Sequence, residues 1–273
     1  MKKLFPIGLL LLSIWSIQSC TKDDNTGGSD GNYKLTYGDS IFYINPSVDY
    51  TITPVGAPTG GSYTGFPEGI DIDNLTGAIR VNKSETGLRY RITYTAVNGD
   101  TSNAIILIGG INYYDQIYDL SKDDTTAKPL YNASLNRNVP ANSIFDEGNG
   151  CKLEGVEVDA SNGRINLAAC VRNGVFGITP TNGVRKEVEL RYRINDGSNK
   201  NLNSLKVKLY YYNTSADIDA DLIQLLKDRE GTVFGTGPTP PPVFQMTTEV
   251  LGLSNVRGVA KPRPPCIFLV GRM

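Results

Sequence analysis

The chain has no histidine in 273 residues, one tryptophan, three methionines and four cysteines. The missing imidazole excludes Ser–His–Asp and Cys–His nucleophile systems, His-ligated zinc or haem, and imidazole-based pH switching. Positive charge is not in excess either. With 27 Lys+Arg against 28 Asp+Glu the net charge is −1, which argues against a nucleic-acid partner, because phosphate binding relies on clustered Lys and Arg. What is abundant is 15 Tyr, 29 Gly and 15 Pro, in a chain 40% hydrophobic and 20% charged. That composition reads as a folded, turn-rich β protein. The length suits one large domain or two of about 100 residues.

The N-terminus reads MKKLFPIGLLLLSIWSIQSC: Lys2 and Lys3 precede an apolar run of 14 residues from Leu4 to Ile17. A bilayer-spanning helix needs about 20 apolar residues, so the run is an export signal rather than a permanent span. It ends at Ile17-Gln18-Ser19-Cys20, which resembles the lipobox of bacterial lipoproteins. The resemblance implies cleavage after residue 19 and acylation of Cys20; two or more acyl chains anchor a protein stably. The alternative is an ordinary secretory signal cut nearby. Residues 20–32, rich in Gly, Ser, Asp and Asn, read as a flexible tether. Within it Lys22-Asp23-Asp24 is similar to the acidic export signal of surface-displayed bacteroidete lipoproteins, which implies an outer-membrane location facing the exterior.

The rest of the chain repeats itself. Glu68-Gly69-Ile70-Asp71-Ile72-Asp73 recurs as Glu154-Gly155-Val156-Glu157-Val158-Asp159, and the same offset of 86 aligns Gly77, Ile79 and Val81 with Gly163, Ile165 and Leu167. Leu88-Arg89-Tyr90-Arg91-Ile92 recurs letter for letter as Leu190 to Ile194 at an offset of 102, so 16 extra residues fall around Ala168–Gly183. Ordered blocks with one insertion are what two copies of a domain look like. Leu88, Tyr90, Ile92 and Tyr94 alternate with polar residues, as do Leu205, Val207, Leu209 and Tyr211, so each is a strand with one buried face. Asp73…Gly77 and Asp159…Gly163 read as turns between strands.

The segment Phe66-Pro67-Glu68-Gly69-Ile70-Asp71-Ile72-Asp73-Asn74-Leu75-Thr76-Gly77-Ala78-Ile79 resembles the signature of the immunoglobulin-like and cadherin-like domains of bacterial surface proteins. The resemblance implies an all-β fold of two tandem Ig-like antiparallel β-sandwiches, at 33–118 and 119–214, used for display, spacing or adhesion. Residues 215–231 read as a helix, since Ile218, Leu222, Leu225 and Leu226 share a face and Gly231 stops it. The remaining 232–273 form a Pro-rich spacer (Pro238, Pro240, Pro241, Pro242) and an apolar tail with candidate strands at Val243–Leu253 and Cys266–Val270. The second is too apolar to stay exposed and is expected to dock on something.

No chemical constellation emerges. Cys151 and Cys170 flank Ser161 almost symmetrically, which predicts that they face each other across a hairpin, as a disulfide or as two buried thiols. Gly65 and Ser84 stand at the equivalent places of the first copy, and Cys266 is left for the tail strand. Three thiols without His do not complete a closed zinc site. Asp71 and Asp73 lack the further oxygens that Ca²⁺ requires, and Glu68 and Glu154 read as turn residues rather than a glycosidase pair. Tyr113-Tyr114 and Tyr210-Tyr211-Tyr212 are either aromatic platforms for a glycan or ordinary strand residues. Asp39-Ser40-Ile41 and Asp124-Thr125-Thr126 resemble a short O-glycosylation acceptor. The expectation is a non-enzymatic, lipid-anchored surface protein without cofactor or metal. Its partners would be the membrane, through the anchor, and a glycan or surface protein, with no nucleic acid. The alternative is a structural subunit of a pilus-like or outer-membrane assembly, with the tail strand pairing with a partner.

Overall fold

Two long hairpins organise the chain, and in each the first strand alternates more-buried with less-buried residues. The computed structural model describes residues 33–236 and 263–271; the export signal, Cys20, the tether, the proline spacer and Val243–Leu253 lie outside them. The first half runs β1 (Ile41–Phe42), β2 (Thr51–Ile52), β3 (Ser62–Phe66), β4 (Ile79–Arg80), β5 (Leu88–Thr95) and β6 (Thr101–Ile108). Then come β7 (Ile111–Tyr113), β8 (Gln116–Asp119), β9 (Thr126–Ala127), β10 (Pro129–Tyr131), β11 (Ile144–Phe145) and the short helix α1 (Gly150–Leu153). The remainder is β12 (Ile165–Asn166), α2 (Leu167–Arg172), β13 (Val184–Arg193), β14 (Asn203–Tyr212), α3 (Ala220–Arg229) and β15 (Cys266–Val270). The described chain is thus mostly β, with several sheets and a short helix toward its C-terminal end.

β5 and β6 pair antiparallel from Leu88↔Ile108 to Thr95↔Thr101, with β3 on one side and β1, parallel to β6, on the other. Leu88, Tyr90, Ile92 and Tyr94 point into a core with Ile79, Val81 and Ile106. β13 and β14 repeat the arrangement from Val184↔Tyr211 to Tyr192↔Asn203, above a second core that holds Leu190, Tyr192, Val207 and Leu209. The repeated turn is the same object in both halves. Asp73 and Asp159 each accept the amide of the glycine four residues on at 2.8 Å, and Ile72↔Ile79 and Val158↔Ile165 form equivalent bridges. Gly77 (φ +69) and Gly163 (φ +72) leave no room for a Cβ, which would stand 2.7 Å from the rings of Tyr63 and Phe145. A buried tyrosine hydroxyl donates to each glycine carbonyl, from Tyr37 at 2.8 Å and from Tyr113.

The two halves differ in several places, one being that β3 of the first is replaced by α1 at the equivalent positions of the second. The 16-residue insertion contains most of α2 and its exit loop, whose Phe176 packs on Tyr211. The larger difference involves β15. In the first half β1 bonds directly to β6, with Ile41 opposite Leu107. The corresponding strand of the second half is β8, and Leu209 corresponds to Leu107. These do not meet: β15 lies between them, parallel to both, with Leu209↔Ile267 on one edge and Ile117↔Phe268 on the other. The apolar tail therefore docks inside a sheet, in the order β11-β13-β14-β15-β8. Its alternation serves two cores. Ile267 and Leu269 enter the second core, while Cys266, Phe268 and Val270 face a third one covered by Leu222 and Leu226 of α3. Around residue 118 the two cores interleave, with Ile111 and Tyr113 in the second and Tyr114 and Leu130 in the first.

Candidate functional site

Cys151 and Cys170 are free and buried, and they do not sit opposite each other on hairpin strands. Asn149 at φ +58 and the Asp146 carboxylate, which accepts the amides of Cys151 and Lys152 at 2.8 and 3.0 Å, wind the first into α1. Asn166 caps Ala169 at 2.9 Å and winds the second into α2. Spacing alone missed these two local caps. Burial pushes the Cys151 thiol up to about 12 and Cys170 to about 11, which makes both poor nucleophiles. Cys266 lies buried in β15, as expected for the tail strand. Tyr113, Tyr210, Tyr211 and Tyr212 are buried, and Tyr114 packs against Phe234, so the paired tyrosines form cores rather than open platforms. Asp71 is committed to Arg80 through two hydrogen bonds at 2.9 and 2.5 Å. Asp73 accepts the amides of Leu75 and Thr76 in its turn. Glu154 pairs with Lys186, and Glu68 is exposed.

Two places bring distant residues together. The first is the seam between the halves. The Thr86 and Tyr192 hydroxyls share a hydrogen bond of 2.7 Å, and the Asn203 amide donates to both at 3.0 and 2.8 Å. Burial pushes the Tyr192 hydroxyl up to about 12, so it stays protonated. The Tyr43 ring is held between Gly109 and Gly197, where a Cβ would approach it to 2.4 and 2.5 Å, and the Gly87 backbone presses on Ile111. Along this seam lie two adjoining recesses of about 420 and 410 Å³ that share Ile44. Glu189, Arg191 and Ser204 line one; Tyr43, Tyr50 and Asn199 line the other.

The second is a buried charge cluster at the start of β15. The Arg263 side chain, 2% exposed, donates to Asp115 and to Thr232, each at 2.6 Å, and its backbone amide donates to Glu85 at 2.6 Å. Asp115 also accepts the Cys266 amide at 2.7 Å and an Arg229 guanidinium N–H at 3.3 Å. Burial raises the Glu85 carboxyl, while the Arg263 amide and guanidinium work against the rise. One residue from the first half, one from the junction and one from the helix thus converge on the tail. Sequence reasoning missed Glu85, Asp115, Arg229 and Arg263, because nothing local marks charges that pair across more than a hundred residues.

No family model matches the chain, and no curated protein does. Among solved structures, a crystal structure of Drosophila N-cadherin EC1-4 is similar over 65% of this chain and 48% of its own length, at 12% identity and a TM-score of 0.20. The chain spans about half the length of that cadherin fragment.

Proposed function

We propose that this protein is a non-enzymatic, lipid-anchored binding or display module of the outer-membrane surface, built on two tandem Ig-like sandwiches and held by acylated Cys20. The observation that carries the reading is the seam. Buried hydroxyl contacts and a clamped Tyr43 ring fix the two halves relative to each other, and a shallow groove lined by both runs along the junction. A fixed groove with Glu189, Arg191, Ser204, Tyr50 and Asn199 at hand offers charged, hydroxyl, amide and aromatic contacts of the kind that a glycan or a polar protein loop accepts. The test is a glycan array with a panel of surface proteins, probed with the parent chain and with Glu189→Ala and Arg191→Ala. Loss of signal in these exposed-residue variants, with an unchanged melting profile, supports the seam as the site. Equal signals in parent and variants remove it.

The strand slot favours a second reading, a subunit that assembles by strand exchange. A sheet that is closed in the first half is open by one strand in the second, and the strand that fills it is attached beyond residues 237–262. Here the strand comes from the same chain. A second copy carries the same strand, and exchange of an identical element between protomers is a low-cost route to association. Two differently tagged copies, unfolded and refolded together at rising concentration, then give mixed dimers in native mass spectrometry. Monomers alone at every concentration refute this reading.

A further inference from the structure

The geometry points to the end of the first half opposite the seam as a face that rests on a lipid surface, with the second half held away from it. Three loops meet there, and each carries an exposed aliphatic side chain at its tip. Val55 is 54% exposed, Leu75 in the Asp73–Gly77 turn 54%, and Val97 at the β5–β6 hairpin 86%. The loops touch one another. A Cβ on Gly60 would stand 3.1 Å from the Val97 side chain, and one on Gly77 2.7 Å from Pro54. Three aliphatics at these exposures on touching loops offer an apolar contact surface at one end of the half.

The position of the chain's entry selects lipid over a protein as the occupant. Residue 33, the first described after the tether, is bound at this same end. The Tyr33 hydroxyl donates to the Val55 carbonyl at 3.4 Å, its ring meets Tyr94 edge-on at 5.4 Å, and the Val55 amide donates to Thr36 at 2.8 Å. Only residues 20–32 separate Tyr33 from Cys20, so an anchor at Cys20 joins the fold at this end and favours its approach to the bilayer. A partly exposed tyrosine among aliphatic tips is also the pairing suited to the membrane–water boundary, where an amphipathic ring sits at headgroup level. Charge at the end is mixed, with Lys34 and Asp100 both exposed, so attachment draws on the aliphatic tips rather than on anionic lipid.

The inference rests on the acylated Cys20 proposed above, and its test separates the two. The only tryptophan is Trp15, within the export signal, so Val97→Trp gives the lipidated chain a single tryptophan at the tip, excited beyond the tyrosine absorption. Ile178→Trp gives one at the opposite end, on the exit loop of α2, where the native residue is fully exposed. Each lipidated variant is placed in phosphatidylcholine vesicles with and without brominated acyl chains. The expected result is blue-shifted, bromine-quenched emission for Val97→Trp and water-like, unquenched emission for Ile178→Trp. Vesicle flotation with neither tryptophan quenched overturns the inference while the anchor stands, and leaves the tips to a protein partner. Quenching of both overturns the end-on orientation. Absent flotation refutes both; flotation unchanged by Cys20→Ala refutes the anchor alone, and quenching of Val97→Trp then decides the inference.

Discussion

Truncating Phe268 to alanine tests whether the tail strand is an integral part of the sheet. Phe268 is fully buried at the centre of β15 and stacks on Tyr210 with 4.6 Å between ring centroids and 10° between planes. Its loss removes the aromatic burial, leaves a cavity under α3 and abolishes the ring pair. Phe→Ala changes in cores cost about 3–5 kcal/mol, against a total stability of about 5–15 kcal/mol for a typical domain. With a urea slope of about 3 kcal/mol per M, the midpoint falls by roughly 1–1.7 M. The assay is urea unfolding followed by far-ultraviolet circular dichroism and tyrosine fluorescence, with Ile105→Ala as the reference. Ile105 lies on β6 at 48% exposure, and its truncation costs within about 0.5 kcal/mol. A Phe268→Ala shift no larger than that of Ile105→Ala refutes the placement of β15 between β14 and β8.

Four further outcomes are expected. Asp115→Ala leaves the buried Arg263 guanidinium without its carboxylate and costs about 3–5 kcal/mol; limited proteolysis then cleaves the C-terminal segment well before β5–β6, and an unchanged digestion pattern refutes the cluster as the tail's fastening. Gly163→Ala costs about 2–4 kcal/mol in thermal unfolding, from positive φ plus the clash with Phe145, whereas Gly174→Ala, with open space around it, costs about 1–2 kcal/mol from φ alone; equal effects contradict the turn geometry. Glu85 has a folded pKa above its unfolded value near 4.5, so its contribution is fully present below that value and is lost as pH rises through the folded one. Glu85→Gln therefore gains on the parent as melts are taken from about pH 4 to pH 7, and a gap that closes instead reverses the assignment. Iodoacetamide at neutral pH labels none of Cys151, Cys170 and Cys266 in the folded chain and all three after denaturation, read by mass spectrometry; rapid labelling of any in the native state contradicts their burial.

The readable parts of this chain were those governed by local physics. Alternation in Leu88–Tyr94 and Leu205–Tyr211 marked the strands, because a half-buried strand needs a period of two. The Asp…Gly spacing marked both turns, because only a short acceptor at one end and a residue free to take positive φ at the other close them. The order of repeated blocks announced a duplicated architecture, and the apolar run Cys266–Val270 announced that the tail would be covered. Even the position of the insertion was legible, though its helical content was not. Asn166 and Asp146 act as caps only where the following residues wind up, which a linear pattern does not state.

Tertiary structure decided the rest, and for one reason: contact between residues far apart in the chain leaves no periodic trace. The docking place of β15 depends on β8 and β14 standing one strand apart in the second half, while their counterparts in the first half are bonded. Tyr210, Tyr211 and Tyr212 are covered by α3 and by the insertion, and Tyr113 and Tyr114 by the second core and by Phe234, which no local pattern states. Asp115, Arg229, Arg263 and Glu85 come from four separate segments and form a cluster only when the tail is home. Repeated sequence blocks, alternating strands and the absence of histidine are all read from the residues alone. The fold alone decided that its last strand completes the second sheet, and that its buried charges hold that strand there, because a charge can remain out of water only opposite a partner the fold supplies.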